Sequence, residues 1–139
     1  MIKKCISSGF IEVAHTADWA MRVWSDNLNC LFEQAALGMY SLMEIKLDNG
    51  QRVTDSIILE NLDLESLLVS FLSELLYKVE SEGLAYDQVS VEVNEHHLKA
   101  QLEGSPITNQ KKEIKAVTFH NLVIVLTEGK YEVTIVFDV

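Results

Sequence analysis

The side chains of this 139-residue chain that could do chemistry gather in two places. The first is His15-Thr16-Ala17-Asp18, which sets an imidazole, a hydroxyl and a carboxylate within four residues. Such a set can converge in a tight turn. The plain alternative is an Asx or ST turn, with Asp18 accepting backbone N–H groups. The second place is Val136-Phe137-Asp138-Val139, where the sequence stops. Strand alternation puts Tyr131, Val133, Ile135 and Phe137 on one face, and Glu132, Thr134 and Asp138 on the other. Asp138 and the α-carboxylate of Val139 are then expected as adjacent oxygen donors at a strand end. Oxygen-only donors suit Ca²⁺ or Mg²⁺ rather than zinc. If the strands around His15–Asp18 lie beside the last strand, Asp18 meets Asp138. Carboxylates gathered there repel unless a cation or a basic group neutralises them. Periodicity leaves that meeting open; the plain turn is the default at the first place and solvated charge at the second.

Familiar catalytic signatures are missing. The sequence holds no Gly-x-Gly-x-x-Gly, Walker loop, Gly-x-Ser-x-Gly elbow or His-Glu-x-x-His. His96-His97 falls in an expected hairpin turn, where adjacent side chains diverge, so no shared metal is expected there. Cys5 and Cys30 fit no ligand spacing. They read as two thiols of a reducing cytosol, or as one bridge. Lys plus Arg is 11 and Asp plus Glu is 21, giving a formal net charge of −10. That charge repels phosphate backbones and anionic headgroups, so tight direct binding of nucleic acid is not expected. Basic proteins and hard cations are the favoured partners. The N-terminus has no apolar stretch behind its lysines, and no run is long enough to span a bilayer, so a cytoplasmic protein is expected.

The elements that must position these residues have clear periods. Leu28, Leu31, Phe32, Ala35, Ala36, Met39, Leu42 and Met43 make one helical stripe, with N-cap candidates at 25–27 and Gly38 placed for close packing. Leu64, Leu67, Leu68, Phe71, Leu72, Leu75, Leu76 and Val79 make a wider one, widened further by Val69 and Tyr77. Asp63 is set to cap its start and Gly83 to end it. The remaining segments alternate with period two. Strands are expected at 9–15, 19–25 and 51–60, and a hairpin at 86–94 and 98–103. One or two more are expected within 112–127, broken at His120-Asn121, and a last strand at 130–139 follows a turn at Glu128-Gly129. Gly104 to Lys112 reads as a loop. The chain is expected to be a single α+β domain over residues 1–139, with two amphipathic helices on largely antiparallel sheet.

Read together, four stretches resemble the archease family. They are Gly9-Phe10-Ile11-Glu12-Val13-Ala14-His15-Thr16-Ala17-Asp18, Leu31-Phe32-Glu33-Gln34-Ala35-Ala36-Leu37-Gly38-Met39, Phe71-Leu72-Ser73-Glu74-Leu75-Leu76-Tyr77, and Glu113-Ile114-Lys115-Ala116-Val117-Thr118-Phe119-His120-Asn121-Leu122 closed by Val136-Phe137-Asp138-Val139. They run nearly end to end, in order. The resemblance implies a non-catalytic accessory protein of an RtcB-type RNA ligase, which joins RNA ends in tRNA splicing and RNA repair. It would promote guanylylation of the ligase by GTP, sustain turnover and broaden the nucleotide accepted. It also implies a metal site, with Ca²⁺ the expected ion and Mg²⁺ the alternative, held by Asp18, Asp138 and the carboxylate of Val139. His15 would orient the turn, and Lys115 and His120 would shape the surface that meets the ligase. This chain departs from the family pattern at Trp19-Ala20, where a small aliphatic pair is common, and at Phe119, which lacks the hydroxyl of the usual Tyr.

Two other readings use the same residues. A small phosphoester hydrolase would hold a metal and a water on Asp18, Asp138 and His15, but no second base or phosphate-cradling loop is visible. A general chaperone or adaptor needs an exposed apolar patch, which sequence does not reveal.

Overall fold

The computed structural model describes residues 5–13 and 18–139. The elements in chain order are β1 (Gly9–Val13), β2 (Trp19–Ser25), α1 (Leu28–Met43), β3 (Ile45–Leu47), β4 (Val53–Glu60), α2 (Leu64–Glu82), β5 (Leu84–Val93), β6 (His97–Gln110), β7 (Ala116–Val117), β8 (Val125–Thr127) and β9 (Lys130–Asp138). They form two sheets, and every described strand pairing is antiparallel. The first sheet runs β1-β2-β9, with β7 and β8 both pairing β9. The second is built on the long β6, which pairs β3, β4 and β5. The helices lie between the sheets: α1 packs on β1, β2 and β9 and also on β5, while α2 packs on β4, β5 and β6 and on β7.

That placement explains the wide apolar stripes, because a helix covered on two sides must be apolar around most of its girth. Leu31, Phe32, Met39, Leu67, Leu68, Phe71, Leu72 and Leu75 are wholly buried. Tyr77 departs from the expected stripe and is exposed, at the edge of the layer. The caps fall where the sequence places them. Asn27 Oδ1 accepts the Cys30 N–H at 2.8 Å, Asp63 Oδ1 accepts the Ser66 N–H at 2.7 Å, and Gly83 ends α2 at φ 64°. Gly38 is required by packing. A β-carbon there would run into the Met21 sulfur and stand 2.9 Å from the Phe10 ring.

Two polar residues of α1 have a task that periodicity does not announce. Asn29 Oδ1 accepts the Val93 N–H at 2.9 Å, and Glu33 Oε2 accepts the Val91 N–H at 2.8 Å. β5 pairs only β6 among the described strands, so its outward N–H groups need partners, and α1 supplies them. Glu33 is therefore buried, although it lies off the apolar stripe.

The expected loop at 104–112 is instead mostly strand, since β6 continues to Gln110. Polar composition hides it because its ladder is shared. β5 pairs it through Ser105 and Pro106, and β3 pairs it from Ile107 to Gln110. β3 itself, three residues long, carries too few positions to show a period. Strand in the 112–127 stretch is limited to β7 and β8, five residues in all. Glu128 and Gly129 make the expected turn, both at positive φ. The two cysteines form the bridge Cys5–Cys30. No helix among the described residues is long and apolar enough to cross a membrane.

A partly buried ion pair fastens α2 to the second sheet. Lys78 Nζ lies 2.7 Å from Asp55 Oδ2, and the Tyr86 hydroxyl donates to the same oxygen at 3.2 Å. The Lys78 ammonium holds the Asp55 carboxyl below its usual range, and Asp55 in turn raises Lys78. A depressed carboxyl stabilises the fold above its unfolded pKa of about 3.9 and loses that contribution as pH falls through the folded value. The raised Lys78 contributes below its unfolded pKa of about 10.4 and loses it as pH rises further. Asp55→Asn is expected to cost about 2 kcal/mol at pH 7, where it leaves a charged donor poorly matched, and less at pH 3, where loss of the Asp55 contribution has begun. Urea unfolding at the two pH values checks this. An equal deficit at both would contradict it.

Candidate metal centre

The candidate site stands at one end of the first sheet. β2 and β9 pair from Ser25↔Tyr131 to Trp19↔Phe137. Carrying this register one residue further sets Asp18 opposite Asp138. Asp18 shares parity with Ala20 and Arg22, and Asp138 with Val136 and Thr134, so both belong to the outer face, away from the helices. Cross-strand partners have β-carbons about 4.5–5.5 Å apart. Like charges so placed are unfavourable unless something positive joins them. Asp138 is exposed and Asp18 half-buried.

The backbone of this corner is fixed by β7. Ala116 pairs Asp138, and the Lys115 N–H donates to the Asp138 carbonyl at 2.8 Å. Lys115 therefore belongs beside the acidic pair, although it is 23 residues away in sequence, with its side chain exposed. Val139 follows Asp138 directly, and its side chain packs against the core. His120 is held by a different thread. Thr118 donates both its N–H, at 3.1 Å, and its hydroxyl, at 2.8 Å, to the Val136 carbonyl, and its Oγ1 accepts the His120 N–H at 3.3 Å. His120 thus sits at an exposed turn, and its ring reaches Asn121 rather than the carboxylates. His15, with Thr16, lies outside the described residues.

A basic residue beside Trp19, on the opposite strand face from Asp18, escaped the sequence reading. Lys112 Nζ stands 5.3 Å from the centre of the Trp19 ring and 3.3 Å from Glu44 Oε2. The Lys111 and Lys112 N–H groups both donate to the Met43 carbonyl, which ties this basic stretch to the end of α1. The only available signal was the pair of lysines itself, unusual in so acidic a chain. The donor chemistry of the corner fits a hard cation: the carboxylates are oxygen donors, no described sulfur or imidazole stands among them, and the β2–β9 ladder ends beside them. Asp138 is exposed at this corner, while Ala20 and Val136, next along the same parity, are buried. A shallow concavity of about 530 Å³ lies elsewhere on the sheet, along β8 and β9, lined by Val123, Val125, Lys130 and Glu132.

The model of the Archease protein family (MTH1598/TM1083) matches residues 10–139. The chain belongs to the archease family. It is 34% identical over 134 residues to the protein archease of Pyrococcus furiosus, covering 90% of this chain and 94% of that one. It is 35% identical over 132 residues to the protein archease of Archaeoglobus fulgidus, covering 91% and 96%. The fold matches that of Methanobacterium thermoautotrophicum protein 1598, with a TM-score of 0.68 at 24% identity over 94% of this chain and 99% of that one. It also matches the Thermotoga maritima archease, described as a possible chaperone, with a TM-score of 0.67 at 24% identity over 91% and 94%. The α+β reading, with two helices on antiparallel sheet, is that of these archease structures.

Proposed function

We propose that this archease-family chain is a non-catalytic, cytoplasmic accessory protein of an RtcB-type RNA ligase, and that it promotes guanylylation of the ligase by GTP and sustains its turnover. Broadening of the nucleotide accepted belongs to the same role. Asp18, Asp138 and the carboxyl group of Val139 hold a divalent cation, Ca²⁺ in preference to Mg²⁺. The observation that carries this reading is the β2–β9 register, which, carried one residue past Trp19↔Phe137, sets Asp18 opposite the exposed Asp138. An enzyme site of this size would be expected to enclose its substrate, whereas an exposed charged corner suits docking against another protein. The ion supplies a fixed positive charge that lets the carboxylates share one place. Lys115 holds the Asp138 backbone, and β7 keeps the strand end in register.

The test is single-turnover guanylylation of a cognate ligase with GTP, with this protein present at substoichiometric amounts. Faster guanylylation with repeated turnover is expected, and Asp18→Ala with Asp138→Ala is expected to remove the stimulation. A competent ligase that ignores the wild-type protein would refute the reading. One observation favours a second reading as a chaperone or adaptor: Phe119, Val123, Val125 and Leu126 are all exposed along one segment. A chaperone would suppress aggregation of unrelated unfolded proteins, which a ligase-specific activator would not.

A further inference from the structure

The Cys5–Cys30 bridge has a place in the fold that suggests more than a passive staple. Cys5 lies just before β1, and Cys30 lies in the first turn of α1. β1 is an edge strand that pairs only β2 among the described strands, over five residues. Glu12 and Val13 are exposed and Ile11 is 52% exposed, so among the described residues the outer half of β1 is held by its ladder alone, while Gly9 and Phe10 pack inward. The bridge is the covalent tie between the start of this weakly held strand and the helix layer.

Its surroundings are asymmetric. Cys30 is wholly buried while Cys5 is partly exposed, so an incoming thiol reaches Cys5. Glu33, one turn after Cys30, has a carboxylate oxygen within 4.8 Å of both sulfurs. A carboxylate that close disfavours a neighbouring thiolate, and thiolate stability governs how fast a disulfide opens.

We propose that Cys5–Cys30 is a thiol–disulfide exchange site for glutathione-class thiols, gated by Glu33, and that its redox state sets how firmly β1 is held. A glutathione thiolate attacks the Cys5 sulfur, the S–S bond breaks, and Cys30 leaves as a thiolate that takes a proton from water. A second glutathione thiolate attacks the mixed disulfide, releasing glutathione disulfide and the Cys5 thiol. Two electrons and two protons reach the protein. Oxidised, the bridge closes a loop that contains β1, Asp18 and β2; reduced, the described ties of β1 are its ladder to β2, the Ser8–Ser25 hydroxyl bond at 2.8 Å just before it, and the packing of Gly9 and Phe10.

The experiment equilibrates the full-length protein in glutathione mixtures from fully reduced to fully oxidised. It counts thiols by alkylation and mass, and follows amide hydrogen exchange at residues 9–13. Both thiols are expected to appear together in one transition, with exchange in β1 at least about tenfold faster in the reduced protein, as expected of an edge released to local opening. Cys5→Ser is expected to show the fast exchange in every mixture. Glu33→Gln retains an acceptor for the Val91 N–H and is expected to open about threefold faster at neutral pH, because the leaving thiolate no longer forms beside a carboxylate and exchange rates follow thiol acidity only fractionally. Thiols that stay free in every mixture, a bridge that glutathione cannot open in the folded protein, or equal β1 exchange in both states would overturn the proposal. An unchanged opening rate in Glu33→Gln would overturn the gate.

Discussion

Replacing Gly104 by alanine is expected to lower the stability of the protein by about 3 kcal/mol or more, a larger loss than most single substitutions produce. Gly104 sits in the middle of β6, paired with Val53 on one side and Tyr86 on the other. A β-carbon there would collide with the Ala85 carbonyl oxygen and stand 2.6 Å from the Tyr86 α-carbon. These are backbone atoms, so no side-chain rotation relieves the clash. β5 would have to move off β6 at the point where its register shifts, between Tyr86 and Gln88. That movement would disturb wholly buried Tyr86, and with it the hydroxyl that supports the Asp55–Lys78 pair. Thermal and urea unfolding measure the loss, with a fall in Tm of about 10 °C expected for a domain of this length. Gly50 provides the control. A β-carbon there meets nothing closer than 3.7 Å, so Gly50→Ala is expected to change stability little. A Gly104→Ala protein as stable as the wild type would show that the β5–β6 approach is not as tight as described.

The helices were legible because each one carries its own evidence. Asn27, Asp63 and Gly83 mark ends within a few residues of the stripes they bound, and a period of 3.6 over four or five turns has no competing reading. The strands that escaped were those whose reasons lie far away. β6 beyond Gly104 is polar because it is fastened by backbone to β3 and β5, and a backbone ladder leaves no mark on composition. Glu33 lies off the helical stripe, and nothing local reveals that β5 offers it an N–H 58 residues on. The candidate site divides in the same way. The parity of Asp138 was readable within its own strand. Its position opposite Asp18 depends on β2 lying against β9, a long-range pairing that alternation cannot specify. Lys115 came only from family resemblance, and its backbone bond to Asp138 is the local reason for its place. Lys112 beside Trp19 left only the Lys111-Lys112 pair to read.

Terbium is expected to report directly on the proposed metal site, because Trp19 immediately follows Asp18. Tb³⁺ resembles Ca²⁺ in its preference for carboxylate oxygens. It is expected to bind at Asp18 and Asp138, to luminesce when Trp19 is excited, and to be displaced by Ca²⁺. Trp24 lies five residues along the same strand, about 17 Å away at ordinary strand rise. Trp19→Phe should therefore remove most of the signal and Trp24→Phe little of it. Asp18→Ala and Asp138→Ala should each weaken binding roughly 100-fold or more, since removing groups that merely support metal ligands already costs about 10–100-fold. Stability gives a second readout of opposite sign. With the β2–β9 register carried one residue further, the two carboxylates repel in the absence of metal, so either alanine variant should melt no lower than the wild type. With Ca²⁺ at about 100 times its dissociation constant, the wild type should gain about 2.7 kcal/mol and the variants almost nothing. A site that served only as solvated charge would show neither the luminescence nor the reversal. A variant that lost stability without metal would mean that the carboxylates hold the strand ends by hydrogen bonds instead.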